Sequence, residues 1–189
     1  GLLTESPLPL VIDADGLNLL ATRIDLLTQT QAPVILTPHP GEMARLTGRS
    51  TADLLKDRAA TARSFAVAHG VVLVLKGART IIARPDGHIW VNSSGNSGMA
   101  SGGMGDILTG IIAGLVTQGY APEAAARLGT YIHGIAGDKL YRTYGPQGYL
   151  ASDLMTVLPQ VLADLSGNPP RQLPETDSLL PVKTISGSL

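Results

Sequence analysis

The chain contains no cysteine. That absence removes a disulfide framework, a cysteine-based metal cluster and a thiol nucleophile together. It suits a reducing compartment, so a cytoplasmic location is the expectation. A surplus of one charge is also lacking: 14 Lys and Arg stand against 15 Asp and Glu, a formal net charge of −1. Without a basic excess there is no electrostatic footprint for nucleic acid or an acidic membrane surface, and neither partner is expected. No apolar run approaches the roughly 20 residues that a membrane span requires. The opening residues Gly1-Leu2-Leu3-Thr4-Glu5 show neither a basic-then-apolar leader nor an initiator methionine. The chain is therefore expected to start partway through a larger polypeptide. No internal repeat is visible.

What is present is a hydrophobic content of 44% in 189 residues, enough to bury one core. Leu8–Ile12, Pro33–Leu36 and Val71–Leu75 are short apolar runs of the kind that form buried strands. Val71–Leu75 is uninterrupted, which implies helices on both of its faces. A helix is expected over Asn18–Asp25. Thr37-Pro38-His39-Pro40-Gly41-Glu42 reads as an extended turn, because two prolines disfavour regular structure there, with one or two helical turns from Glu42. Ser50 and Asp53 form a capping pair for a helix over Thr51–His69. Thr80–Ala83 and Ile89–Val91 read as a hairpin around Arg84-Pro85-Asp86-Gly87. Helices follow near Asp106–Gln118, Pro122–Tyr144 and Ser152–Leu165. Residues 1–166 are read as the domain and 167–189 as an irregular tail.

The richest segment runs from Asn92 to Asp106, dense in Gly and Ser and leading into the apolar stretch Ile107–Leu115. Glycines let successive N–H groups turn towards one point, and a helix start adds its positive dipole end. Such a place holds phosphate. Asp106 stands at its mouth, where a carboxylate is a poor phosphate ligand unless it takes a proton or meets a metal. It can equally serve the helix start alone, as a first-turn aspartate. His39 can be a plain turn residue, Lys76 a solvated strand end, and Glu42 a cap for the helix that follows.

Four elements stand in order: Asp13-Ala14-Asp15-Gly16-Leu17-Asn18, Thr37-Pro38-His39-Pro40-Gly41-Glu42, Lys76-Gly77-Ala78-Arg79-Thr80, and Gly102-Gly103-Met104-Gly105-Asp106. Together they resemble the ADP- or ATP-dependent NAD(P)HX dehydratases, from about Val11 to Leu165. The resemblance implies an α/β, ribokinase-like three-layer fold, with a mostly parallel sheet flanked by helices and the N-terminal part of the domain missing. It implies ADP or ATP with Mg²⁺ as cofactors and hydrated NADH or NADPH as substrate. By the same resemblance Lys76, Gly77, Ala78, Arg79 and Thr80 meet the adenine nucleotide, and Gly105 lends its backbone to the phosphate. Asp106 and His39 face the hydrated nicotinamide, with Asp106 as the catalytic proton acceptor. Met104 departs from the smaller or polar residue often found at its position. Metal ligands are unassigned; Asp13, Asp15, Asn96 and Glu42 are candidates for water-mediated contacts. A homo-oligomer, and fusion to or pairing with an NAD(P)HX epimerase, are the expected assemblies. Two other readings stay open: a ribokinase-type kinase for another small alcohol, and an adenine-nucleotide-binding module without turnover.

Overall fold

The computed structural model describes residues 2–167. Its centre is a five-stranded sheet in the spatial order β1-β2-β3-β4-β5. Leu10–Ile12 (β1), Val34–Leu36 (β2) and Val72–Leu75 (β3) pair in parallel, with Leu10 opposite Val34 and Ile35 opposite Val72. Ile81–Ala83 (β4) and Ile89–Val91 (β5) add the hairpin, antiparallel to each other and to β3. The sheet is thus parallel over its first three strands and antiparallel over the rest, since the short links around β4 leave no room for a crossover.

Strand periodicity sorts the core into two halves. Val34, Leu36, Leu73, Leu75, Ile81 and Ala83 face one way. Against them lie α1 (Leu2–Glu5), α2 (Asp15–Ala21), α3 (Pro40–Thr47), α4 (Thr51–Lys56) and α5 (Arg58–His69), with a 3₁₀ stretch over Ile24–Gln29. Ile35, Val72, Val74 and Ile82 face the other way, against α6 (Met104–Thr117), α7 (Pro122–Tyr144) and α8 (Ala151–Ser166). Each fully buried Leu or Ile in these layers contributes about 2 kcal/mol. The result is the expected three-layer α/β sandwich. Among the described residues no helix is long and apolar enough to cross a membrane.

Three local expectations need correction. Pro40 opens α3 instead of prolonging a turn; its fixed φ suits the first helical position, and the missing N–H is one that the helix leaves unpaired anyway. The helix expected over Thr51–His69 breaks at Asp57, whose extended backbone (φ −148°) ends α4 and whose side chain accepts from the Ala60 N–H at 2.9 Å to cap α5. The helix expected over Asn18–Asp25 begins earlier, at Asp15, and ends at Ala21. At the far end α8 stops at Ser166, with Gly167 in the left-handed conformation (φ 70°). The irregular tail expected beyond it lies outside the described residues.

Candidate functional site

In a parallel sheet the carboxyl ends of the strands lie along one edge, where ligands of open α/β sheets bind. Here β1 delivers Asp13 to that edge, β2 delivers Thr37 to His39, and β3 delivers Lys76. Lys76 Nζ donates to Asp13 Oδ1 at 2.7 Å and lies 3.7 Å from Glu42 Oε2. The pair is largely out of water, with side-chain exposures of 18% for Lys76 and 8% for Asp13. Asp13 Oδ2 also accepts from the Thr109 hydroxyl of α6 at 2.8 Å. The N-terminal half of α6 is thereby drawn onto the strand ends. It fits because residue 105 is glycine: a Cβ there would stand 3.2 Å from Lys76 Nζ and 3.4 Å from Asp13 Oδ2.

His39 is the N-cap of α3. Its Nδ1 accepts from the N–H groups of Gly41 at 3.0 Å and Glu42 at 3.3 Å, while Glu42 Oε2 accepts from the His39 N–H at 2.7 Å. An accepting Nδ1 places the imidazole proton on Nε2, which faces Glu42 Oε1 at 3.4 Å. Glu42 therefore does cap α3, and it also supplies a buried carboxylate beside Lys76.

The turn from Lys76 to Thr80 is shaped from below. Arg58, first residue of α5, donates from Nη1 to the Ala78 carbonyl at 2.8 Å and from Nη2 to the carbonyls of Leu75 and Lys76, both at 3.2 Å. Gly77 (φ 136°) lies where a Cβ would come within 3.0 Å of that guanidinium, and Arg79 adopts a positive φ of 58°. The Thr80 hydroxyl closes the turn on the Gly77 carbonyl at 3.1 Å.

Facing this turn is the glycine-rich loop, which enters α6 through Gly103 (φ 84°) as N-cap. The first intrahelical bond of α6 runs from the Ile107 N–H to the Gly103 carbonyl at 3.2 Å. Helix geometry leaves the N–H groups of Met104, Gly105 and Asp106 ahead of it, free to meet an anion. Turn, loop and helix start wall a cavity of about 830 Å³. His39, Lys76, Gly77, Ala78, Arg79, Thr80 and Gly105 all line it, so seven of the eight residues singled out from the sequence converge. Asp106 does not line it. Its side chain is exposed and opens onto an apolar groove between α6 and α8, beside Ile107, Ile111 and Leu158.

His133 of α7, unassigned from sequence, also lines the cavity. Burial pushes its imidazole down to about 4, against a hydrogen bond to the Met104 carbonyl that raises it, with the nearby Lys76 charge lowering it further. Its Nε2 is buried with no partner among the described residues. The carboxylates near the cavity are committed: Asp13 and Glu42 as above, and Asp138 to the loop. Among the described residues no group of three or more His, Cys, Asp or Glu could cage a metal ion.

Residues 2–160 match the sequence profile of a family described as NAD(P)H-hydrate dehydratase. The chain is 52% identical over 164 residues to the bifunctional NAD(P)H-hydrate repair enzyme Nnr of Moorella thermoacetica, covering 87% of this chain and 31% of that protein. It is 43% identical over 158 residues to the ADP-dependent (S)-NAD(P)H-hydrate dehydratase of Neisseria meningitidis, covering 82% of this chain and 53% of that one. The fold is similar to the ADP/ATP-dependent NAD(P)H-hydrate dehydratase of Bacillus subtilis co-crystallized with ATP/Mg²⁺, with a TM-score of 0.71 and 38% identity over 82% of this chain and 55% of that chain. The chain thus spans about half the length of the single-function relatives and about a third of the bifunctional one.

Proposed function

The chain belongs to the NAD(P)H-hydrate dehydratase family, and on that premise we propose that it serves nucleotide-dependent dehydration of hydrated NADH or NADPH in the cytoplasm. ADP or ATP occupies the 830 Å³ cavity. The turn from Lys76 through Gly77, Ala78 and Arg79 to Thr80 meets the adenine nucleotide, and the Gly105 N–H meets its phosphate. Mg²⁺, when bound with the nucleotide, offsets phosphate charge. His39 and Asp106 face the hydrated nicotinamide.

The chemistry follows from what a ring hydroxyl lacks. Hydroxide leaves poorly, whereas a phosphate ester leaves well. Asp106 accepts the hydroxyl proton as that oxygen attacks the terminal phosphorus, whose bond to the bridging oxygen breaks and releases AMP from ADP or ADP from ATP. Amides at the start of α6 receive the charge on the transferred group, where one well-placed donor is worth about 3 kcal/mol of barrier. The C–O bond then breaks, phosphate departs, and loss of a proton from the neighbouring ring carbon restores the double bond. The observation that carries this reading is the convergence of the Lys76–Thr80 turn and the α6 N-terminus on one cavity; the role of Asp106, which opens onto the adjoining groove, rests on its place in the motif. A second copy of the chain, and an NAD(P)HX epimerase fused or separate, are the proposed protein partners.

One observation favours a narrower reading, binding of nucleotide without turnover: the Asp106 carboxylate is open to solvent, and phosphoryl transfer works best with water excluded. Calorimetry with ADP, together with the near-ultraviolet absorbance of hydrated NADH as it is repaired, separates the two. Wild type and Asp106→Asn should bind ADP alike, while the variant loses at least 100-fold in dehydration rate, as removal of a general base does. A flat absorbance trace from a wild-type chain that binds ADP selects the narrower reading. Undiminished turnover by Asp106→Asn would refute its role as base.

A further inference from the structure

Glycine disfavours a helix interior relative to alanine, yet α7 carries buried Gly134 and Gly137 one turn apart. A Cβ on Gly134 would collide with Ser94, and one on Gly137 with Met99. The glycine-rich loop therefore lies directly on the α7 backbone. Next to this contact Asp138 reaches into the loop. Its Oδ2 accepts from the Gly95 N–H at 2.9 Å and its Oδ1 from Asn96 Nδ2 at 3.0 Å. Asn96 turns its own Oδ1 to the Gly98 N–H at 3.0 Å and to the hydroxyl of buried Tyr149. One chain of hydrogen bonds thus joins α7, the loop and the segment ahead of α8. Gly95 lets its N–H point down at the carboxylate by adopting φ 97°.

Asp138 itself is not among the residues lining the cavity, whereas Gly95, Asn96, Ser97 and Ser101 are. A carboxylate facing a bound phosphate would repel it. Placed behind the loop, with its charge met by an amide N–H and a side-chain amide, the same carboxylate fixes the loop without opposing the ligand. Asn96 needs Asp138 to orient it: with Nδ2 held by the carboxylate, Oδ1 must face Gly98 and Tyr149. We propose that Asp138 is the positioning residue of this loop, holding it through Gly95 and Asn96 in the form that receives a nucleoside di- or triphosphate. The inference rests on reading the cavity as a nucleotide site.

The test uses the whole chain as wild type, Asp138→Ala and Asp138→Asn, with two readouts. Amide hydrogen exchange by NMR follows Gly95 and Gly98, and calorimetry follows ADP. In Asp138→Ala both amides should exchange at least tenfold faster and the Kd for ADP should rise about tenfold. Asp138→Asn, which retains one acceptor oxygen, should fall between. A purely structural role would lower the melting temperature and leave the ADP affinity of the folded protein unchanged; that result, or unchanged exchange at Gly95, overturns the proposal. If even the wild-type chain binds no ADP, the nucleotide reading of the cavity falls with it. If all three chains bind ADP equally, the positioning role alone is lost.

Discussion

A half-buried histidine whose ring nitrogen is shut off from water and stays neutral makes stability depend on pH, and His133 is such a residue. The folded protein holds its pKa near 4, while an unfolded chain takes up the proton near 6.5. Because the folded value is the lower one, the contribution is intact above about pH 6.5 and is lost as pH falls from there towards 4. The full loss amounts to about 3 kcal/mol. The melting temperature of the wild type should therefore fall more steeply between pH 7 and 4.5 than that of His133→Leu. Parallel curves would mean that folded and unfolded chains take up the His133 proton over the same pH range, so that burial does not hold the folded value down. His69, whose pKa burial also lowers, keeps part of the slope in both proteins. The local signal at His133 is Gly134 next to it, a glycine inside a long helix that marks close packing but not the cavity. His39 and Lys76, singled out through their motifs, both line the cavity, whereas Asp106, singled out in the same way, opens onto the neighbouring groove. The contacts between distant side chains were not legible, since Lys76 meets Asp13 across 63 positions and Thr109 meets Asp13 across 96.

The break between α4 and α5 shows what a periodic pattern can and cannot reveal. Apolar positions continue through Asp57 at helical spacing, so a single helix is the natural expectation. The interruption lets Arg58 begin a new helix under the Lys76–Thr80 turn, where its planar fork serves three carbonyls at once. Truncating it in Arg58→Ala leaves those carbonyls short of donors and should cost about 2–3 kcal/mol in urea unfolding. Arg58→Lys should recover less than half of this, because a point-like ammonium cannot match the fork. Full recovery by lysine would show that charge alone matters there. The strands, by contrast, were read from short apolar runs within two residues of their observed limits. A buried strand announces itself in neighbouring residues, whereas a helix that stops for the sake of a distant turn does not.

Taken together, the layers present one large cavity at the carboxyl edge of the sheet, and a ligand that fills it stabilises the fold by mass action. ADP at 100 times its Kd should add about 2.7 kcal/mol, which for a chain of this size raises the melting temperature by roughly 5–10 °C. A melting temperature unmoved by millimolar ADP would remove the nucleotide from this cavity. The three-layer sandwich was legible from local pattern: alternating burial along strands and apolar stripes along helices are properties of adjacent residues. So was the form of the loop that runs into α6, because glycine content and a helix start are local as well. The folded chain alone settles which of these pieces share a cavity. It seats the loop on Gly134 and Gly137, sets Arg58 beneath the turn, and leaves Asp106 facing the neighbouring groove while Gly105 faces the cavity. Those outcomes depend on contacts between segments far apart along the chain, and a residue's own neighbours carry no record of the partner it will meet across such a distance.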